Sequence, residues 1–260
     1  MSFSNEALTA YVGTKYCGYQ VQANAPSIQA MLNRAAEELF GYPCDLVGCS
    51  RTDSGVHAHD FCATVSKRGT NDLPTELTPE RIVQALCAHL PEDIRVFAAK
   101  WVPSGFHARY DVIEKEYLYR IYNAPVMDPF EWERAWHFPQ KIDEKGIRLM
   151  QQAATYLSGT HDFFAFMAQG SSVESTVRTI QKSTVETEGN LILYRVSADG
   201  FLYNMVRIIV GTLVDVGRGK ITPEEIPLIL ERKDRSLAGQ TAPACGLYLD
   251  RVRYDPESGA

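Results

Sequence analysis

The sequence has no long uncharged run of apolar residues, although hydrophobic side chains make up 45% of its 260 residues. A membrane-spanning helix is therefore not expected, and the balance of 45% hydrophobic and 22% charged residues does not fit a disordered chain. The first residues carry neither a basic start nor an apolar segment typical of secretory signals, so we expect the cytoplasm as location. We expect the chain to form one large globular domain or two domains of ordinary size.

A Cys-x-x-Cys spacing is also missing, because the six cysteines are scattered through the chain. This favours free thiols in a reducing compartment. Basic residues are not in excess either. The net charge of −6 argues against indiscriminate binding to polyanions, yet it is compatible with a local basic cleft.

Helices and strands are mixed along the whole chain. Apolar residues at helical spacing predict amphipathic helices after Ser27, Thr78 and Asp143, the last one stopped by Gly159, and a long apolar helix beginning near Phe201. Extended segments are predicted at residues 7–12, 57–66, 94–101, 116–122, 176–185, 191–198 and 246–254. Because the order lacks a strict β-α-β-α rhythm, the sequence predicts an α+β fold with antiparallel sheet.

Two short patterns resemble ligand-binding sites, but each lacks residues that such a site needs. Gly217-Arg-Gly-Lys220 could be the end of a phosphate-binding loop, but Ile221 follows the lysine and Val214 stands where such a loop has its first glycine. We therefore interpret this segment as a helix C-terminus. His57 and His59 would share one face of a strand, as a metal pair requires. The remaining histidines stand in unrelated contexts, so hydrogen bonding near a loop is the favoured interpretation.

The richest segment is GCSRTDSGVHAHDFC at residues 48–62. Its Asp53 precedes Ser54 and Gly55, and a turn alone would explain an Asp-x-Gly pattern. The segment nevertheless resembles the Gly-Arg-Thr-Asp-Ala-Gly-Val-His-Ala signature of TruA-type tRNA pseudouridine synthases. Further segments match that family in the same order, namely YVGTKYCGYQ at 11–20, KEYLY at 115–119, GTHDF at 159–163, FLYNMVR at 201–207 and APACGLYL at 242–249. Four residues depart from the family pattern, namely Val12, Tyr19, Ser50 and Ser54.

The resemblance implies a fold of two α+β halves, residues 1–107 and 108–260. These would form one extended antiparallel sheet with helices on one side and a central RNA-binding cleft. It implies isomerisation of uridine to pseudouridine in the anticodon stem-loop of tRNA, at positions 38, 39 and 40, by a homodimer without cofactor or metal.

The same resemblance implies roles for five residues. Asp53 would be the catalytic carboxylate, Arg207 its charge partner, and Tyr117 a stacking surface for the uracil. Arg51 would help to extrude the nucleotide, and Leu247 would contact the substrate. Two alternatives stay open, a non-catalytic tRNA-binding module and a metal-dependent hydrolase built on His57 and His59.

Overall fold

The computed structural model describes residues 3–23, 25–103, 105–170 and 173–255, with backbone only for residues 3–7. The chain forms two compact units, Met1–Ile113 with Leu249–Ala260, and Glu114–Tyr248. The division into functional halves at residues 107 and 108 stays a prediction, because compact packing alone does not assign function to either part.

The described residues form ten β-strands and five α-helices. The strands are β1 (Phe3–Tyr11), β2 (Cys44–Gly48), β3 (His57–Lys67), β4 (Ile94–Pro103), β5 (Val112–Tyr122), β6 (Trp136–His137), β7 (Gly159–Asp162), β8 (Val177–Glu188), β9 (Leu191–Ala198) and β10 (Leu247–Tyr254). The helices are α1 (Ile28–Phe40), α2 (Pro79–His89), α3 (Glu144–Thr155), α4 (Met205–Gly217) and α5 (Glu225–Arg232). This mixture confirms the predicted α+β class.

In the first unit the strand order is β4-β1-β3-β10, and β2 also pairs with β3. Helix α1 begins where Ser27 caps it, because the Ser27 hydroxyl accepts a hydrogen bond from the Ala30 amide at 3.3 Å. It ends at Gly41, which has a φ of 73°. The apolar stripe of α1 is buried, and so are Ile82 and Leu86 of α2, as their helical spacing predicts.

In the second unit the strand order is β5-β9-β8-β7, with antiparallel neighbours throughout. The short strand β6 pairs with β5 in parallel, so this one pairing is an exception among the antiparallel neighbours of the second unit. Its two residues, Trp136 and His137, pair with Ile121 and Tyr122 at the end of β5. Tyr119 and Tyr194 face each other across β5 and β9 and are almost completely buried.

Two predicted helix boundaries differ from the structure. Helix α4 begins at Met205, four residues later than predicted, because Asn204 has a φ of 60° and cannot continue a right-handed helix. Helix α3 ends at Thr155, before the predicted stop at Gly159, and Gly159 begins β7 instead. The segment Gly217-Arg-Gly-Lys220 does end α4, and Lys220 binds Asp215 of that helix at 3.0 Å.

Over the part of the chain that is described, every helix is too short or too polar to cross a membrane.

Candidate active site

Asp53 lies in the connection between β2 and β3, in a tight turn. The Val56 amide donates to the Asp53 carbonyl at 3.1 Å, and Gly55 has a φ of 78°, a conformation that favours glycine. The Asp53 side chain is partly exposed, and Arg51 is exposed. The turn therefore carries a partly exposed aspartate and an exposed arginine, two residues apart, on a short and defined piece of backbone.

This turn is held by the segment that follows β1. The Tyr19 amide donates to the Thr52 carbonyl at 3.1 Å, and the Gly55 amide donates to the Tyr16 carbonyl at 3.3 Å. A hydrogen bond of 2.7 Å joins the hydroxyl groups of Tyr11 and Thr52. The motif at residues 11–20 thus forms the support of the Asp53 turn.

Gly18 shows how closely the two segments approach. A Cβ atom at this position would lie 2.6 Å from the Thr52 carbonyl oxygen, and Gly18 also has a φ of 84°. Both facts require glycine, since a side chain would push the supporting segment away from the turn. Fixing a carboxylate in this way limits the positions that it can sample, as catalysis by an ionised group demands.

The two histidines after the turn are engaged in hydrogen bonds. His57 is buried, and its Nδ1 accepts a hydrogen bond from the Gly13 amide at 3.0 Å. His59 is half exposed, and its Nδ1 lies 2.7 Å from Asp250 Oδ1. Across the described ranges, no group of three or more His, Cys, Asp or Glu side chains is arranged to hold a metal ion. Both histidines thus connect segments of the first unit.

Of the four departures from the family pattern, Tyr19 is the most deeply buried, with 3% of its surface exposed. Its ring packs on Phe61 with centroids 4.5 Å apart. Its hydroxyl has no hydrogen-bond partner among the described residues, and burial raises the pKa of this phenol well above its ordinary value. Tyr19 therefore packs inside the first unit, where its buried hydroxyl lowers the stability of the fold because it makes no hydrogen bond.

We expect Tyr19→Phe to raise the free energy of unfolding by about 1 kcal/mol, because it removes a buried hydroxyl that lacks a partner. Tyr11→Phe is the matched control and should lower that free energy by about 1 kcal/mol, since it leaves the Thr52 hydroxyl without its 2.7 Å partner. Urea denaturation of both variants measures the difference. Equal destabilisation by the two changes would contradict this description of Tyr19.

Tyr117 belongs to the second unit and lies on β5, opposite Val196 of β9. Only 7% of its surface is exposed, and its ring meets that of Phe201 edge to face with centroids 4.9 Å apart. Such a contact fixes the plane of the Tyr117 ring. Phe201 was not predicted as a site residue, although it belongs to the motif FLYNMVR, in which Arg207 was the only predicted site residue.

Arg207 lies in the first turn of α4 and is partly buried. Its Nη1 donates to Asn204 Oδ1 and its Nε donates to the Ala242 carbonyl, both at 2.7 Å. A cation at a helix N-terminus opposes the helix dipole, so this position does not serve helix stability. Asn204, the other residue missed, both sets the start of the helix and orients the guanidinium.

Leu247 begins β10 and is buried. It follows the segment 242–246, which is held by hydrogen bonds. Arg207 Nε donates to the Ala242 carbonyl, the Ala242 amide donates to the Arg207 carbonyl at 3.1 Å, and the Tyr119 hydroxyl donates to the Pro243 carbonyl at 2.7 Å. Within the second unit, the structure thus brings Arg207, Tyr119 and the residues before Leu247 together. Asp53 and Arg51 belong to the first unit.

The motif GTHDF has a structural role in the second unit. Asp162 accepts hydrogen bonds from the Thr176 hydroxyl and from the Phe164 amide, and it pairs with Lys233 Nζ at 2.7 Å. Partial burial alone would raise the pKa of Asp162, but the bonds from Lys233, Thr176 and Phe164 hold it below its ordinary value. Asp162 thereby ties β7 and β8 to the end of α5.

Comparison with known proteins agrees with the motifs. The family model described as tRNA pseudouridine synthase matches residues 7–111 and 153–255. A "tRNA pseudouridine synthase A" of Acetivibrio thermocellus is 45% identical over 244 residues, which cover 94% of this chain and 96% of the relative. The proteins of the same name from Thermoanaerobacter sp. (strain X514) and Clostridium acetobutylicum are 46% and 41% identical, with the same coverage of 94% and 96%. The chain therefore belongs to the tRNA pseudouridine synthase family, a family of isomerases, as its motifs predicted.

Proposed function

We propose that this enzyme converts uridine to pseudouridine at positions 38, 39 and 40 in the anticodon stem-loop of tRNA, and that it acts in the cytoplasm as a homodimer. The observation that carries the proposal is the Asp53 turn, which presents a partly exposed carboxylate on a backbone held at Thr52 and Gly55. Family membership supports the reaction. The resemblance of the motifs to TruA-type enzymes supports the choice of positions and the dimer.

The reaction explains why a fixed carboxylate is required. The bond between uracil N1 and ribose C1′ breaks, the base turns, and a bond from C5 to C1′ forms while the proton of C5 is lost and N1 gains one. The product has the same composition as the substrate, so no oxidant or reductant takes part. We assign to Asp53 the role of nucleophile towards sugar or base, or of base for a sugar proton, each of which needs the ionised form.

Tyr117 and Leu247 are proposed to hold the uracil. An aromatic face tolerates rotation of a flat ring better than directed hydrogen bonds do, which suits a base that must turn before it is rejoined. The edge-to-face contact with Phe201, at 4.9 Å between centroids, fixes the plane that Tyr117 offers. Leu247 would supply apolar contact beside it.

The two arginines are proposed to stabilise the charged carboxylate and to give the enzyme access to the uridine. Arg207 would favour the charged form of the catalytic carboxylate. Its bonds to Asn204 and Ala242 support this proposal, because they limit the positions of the guanidinium. Arg51, exposed two residues before Asp53, would help to extrude a uridine that is paired in a stem. Its guanidinium would fill the space that the nucleotide leaves.

One assay tests the proposed function against both alternatives. Purified protein is incubated with an unmodified tRNA transcript, with and without EDTA, and pseudouridine is measured by mass spectrometry after chemical labelling. We expect pseudouridine at positions 38 to 40 with equal yield in EDTA, because the described ranges contain no group of three or more His, Cys, Asp or Glu side chains arranged to hold a metal ion. Binding without product would favour a non-catalytic module, and activity that EDTA removes and zinc restores would favour the metal-dependent alternative.

A further inference from the structure

Residues 106–111 form a turn that the proposed chemistry does not use. Phe106 is buried against the ring of Tyr254, with centroids 5.1 Å apart, and the Tyr254 hydroxyl donates to the Ala108 carbonyl at 2.6 Å. Both contacts lie within the first unit. The turn is therefore attached to its unit by an aromatic contact and a hydrogen bond.

His107 fixes the shape of this turn. Its Nδ1 accepts hydrogen bonds from the amides of Arg109 and Tyr110 at 3.1 and 3.3 Å. Its own amide donates to Asp111 Oδ2 at 2.7 Å. The carbonyl of His107 also accepts from the amides of Tyr110 and Asp111 at 3.1 Å. With its backbone groups satisfied locally, the turn is a defined structure rather than an open loop.

The turn exposes an aromatic ring beside a cation. Tyr110 is 74% exposed, its ring centroid lies 4.3 Å from that of His107, and the Arg109 guanidinium carbon lies 5.8 Å from the Tyr110 centroid. Arg109 is exposed and forms no ion pair with any residue in the described ranges. Most of the Tyr110 residue is thus exposed, beside an exposed guanidinium.

We propose that His107, Arg109 and Tyr110 form a tRNA contact apart from the reacting uridine, in which Tyr110 stacks on an unpaired base and Arg109 neutralises a phosphate. The inference rests on the proposed function, because tRNA is the occupant. A net charge of −6 means that cations without carboxylate partners are the places where a polyanion can be held. A single ring beside one guanidinium suits a base and its phosphate, whereas a stable protein partner needs a larger apolar area.

Affinity for an unmodified tRNA transcript, measured at several salt concentrations, tests this contact. We expect Tyr110→Ala to weaken binding roughly ten-fold, because stacking on one base is lost. Arg109→Ala should reduce the slope of log affinity against log salt by about one, because one phosphate contact is lost. Tyr110→Phe keeps the ring and should bind as the unchanged protein does.

Phe97→Ala is the matched control, because Phe97 is an exposed aromatic residue of β4 in the same unit, with 65% of its surface exposed. It should bind tRNA normally. Two results would overturn the inference. One is an equal loss of tRNA affinity in Phe97→Ala and Tyr110→Ala. The other is a normal tRNA affinity of Tyr110→Ala together with an unchanged salt slope of Arg109→Ala. Absence of pseudouridine with the unchanged protein would instead overturn the proposed function, so the two failures are distinguishable. Thermal melting of each variant confirms that it is folded.

Discussion

Asp53→Asn is expected to give a protein that folds normally, binds tRNA and forms no detectable pseudouridine, with turnover reduced at least about 10³-fold. Asparagine occupies turns about as well as aspartate, and the two backbone bonds that hold the neighbours Thr52 and Gly55 do not involve the side chain. The substitution therefore removes the ionised group while it leaves the loop intact. Pseudouridine formation under single-turnover conditions, tRNA affinity and thermal melting are the three measurements.

Ser54→Ala is the control for this prediction, because it changes the neighbouring residue in the same turn. It removes only the 3.3 Å hydrogen bond from the Ser54 hydroxyl to the Tyr16 carbonyl and introduces the residue that is usual in the family. We expect nearly normal turnover. If Asp53→Asn kept similar turnover, Asp53 would be a turn residue and the proposed mechanism would be wrong, whatever the family membership of the chain.

Most regular elements of the fold could be predicted from local patterns. Where the hydrophobic period is clear, as in α1 and in the hairpin of β8 and β9, the predicted and observed segments nearly coincide. The strands β2, β6 and β7 and the helix α5 were not predicted, and all four are short. A two-residue strand such as β6 has too few side chains for any period, and its pairing depends on where β5 lies.

The start of α4 could not be predicted by the same reasoning. The apolar pattern begins at Phe201, but the helix begins at Met205, because Asn204 takes a left-handed conformation. This conformation places the Asn204 side chain where it accepts the hydrogen bond from Arg207 at 2.7 Å. The left-handed conformation of Asn204 is thus associated with a side-chain contact, which the hydrophobic periodicity of the sequence does not predict.

The candidate site could be predicted as a set of motifs but not as a set of contacts. In the sequence, the segment 11–20 and the segment around Asp53 are separate matches to one family. The structure joins them through Tyr19 to Thr52 and Tyr16 to Gly55, so the first segment supports the second. Such support depends on backbone atoms and on the small size of Gly18, so residue types at either segment alone do not reveal it.

Arg207→Ala is expected to be nearly inactive and less stable by roughly 2 kcal/mol, because it removes the bonds to Asn204 Oδ1 and to the Ala242 carbonyl. Two effects are therefore mixed in this variant. One is the loss of the proposed charge partner of the carboxylate, and the other is a weaker hold on the segment before Leu247, which keeps the bond from the Ala242 amide to the carbonyl of residue 207. Single-turnover rates measured with saturating tRNA, well below the melting temperature, separate them, because almost all of the protein is then folded and has substrate bound.

Two further variants distinguish a chemical from a structural role of Arg207. Arg207→Lys keeps the positive charge but cannot repeat both bonds of the guanidinium, so we expect lowered stability with partial turnover. Asn204→Gly keeps the left-handed backbone, with its φ of 60°, and removes only the amide that orients Arg207. It should lower stability by about 1 kcal/mol and retain more turnover than Arg207→Ala. If Arg207→Ala retained normal turnover in the folded state, Arg207 would serve only to hold the segment 242–246, and the carboxylate would have to be kept ionised without it.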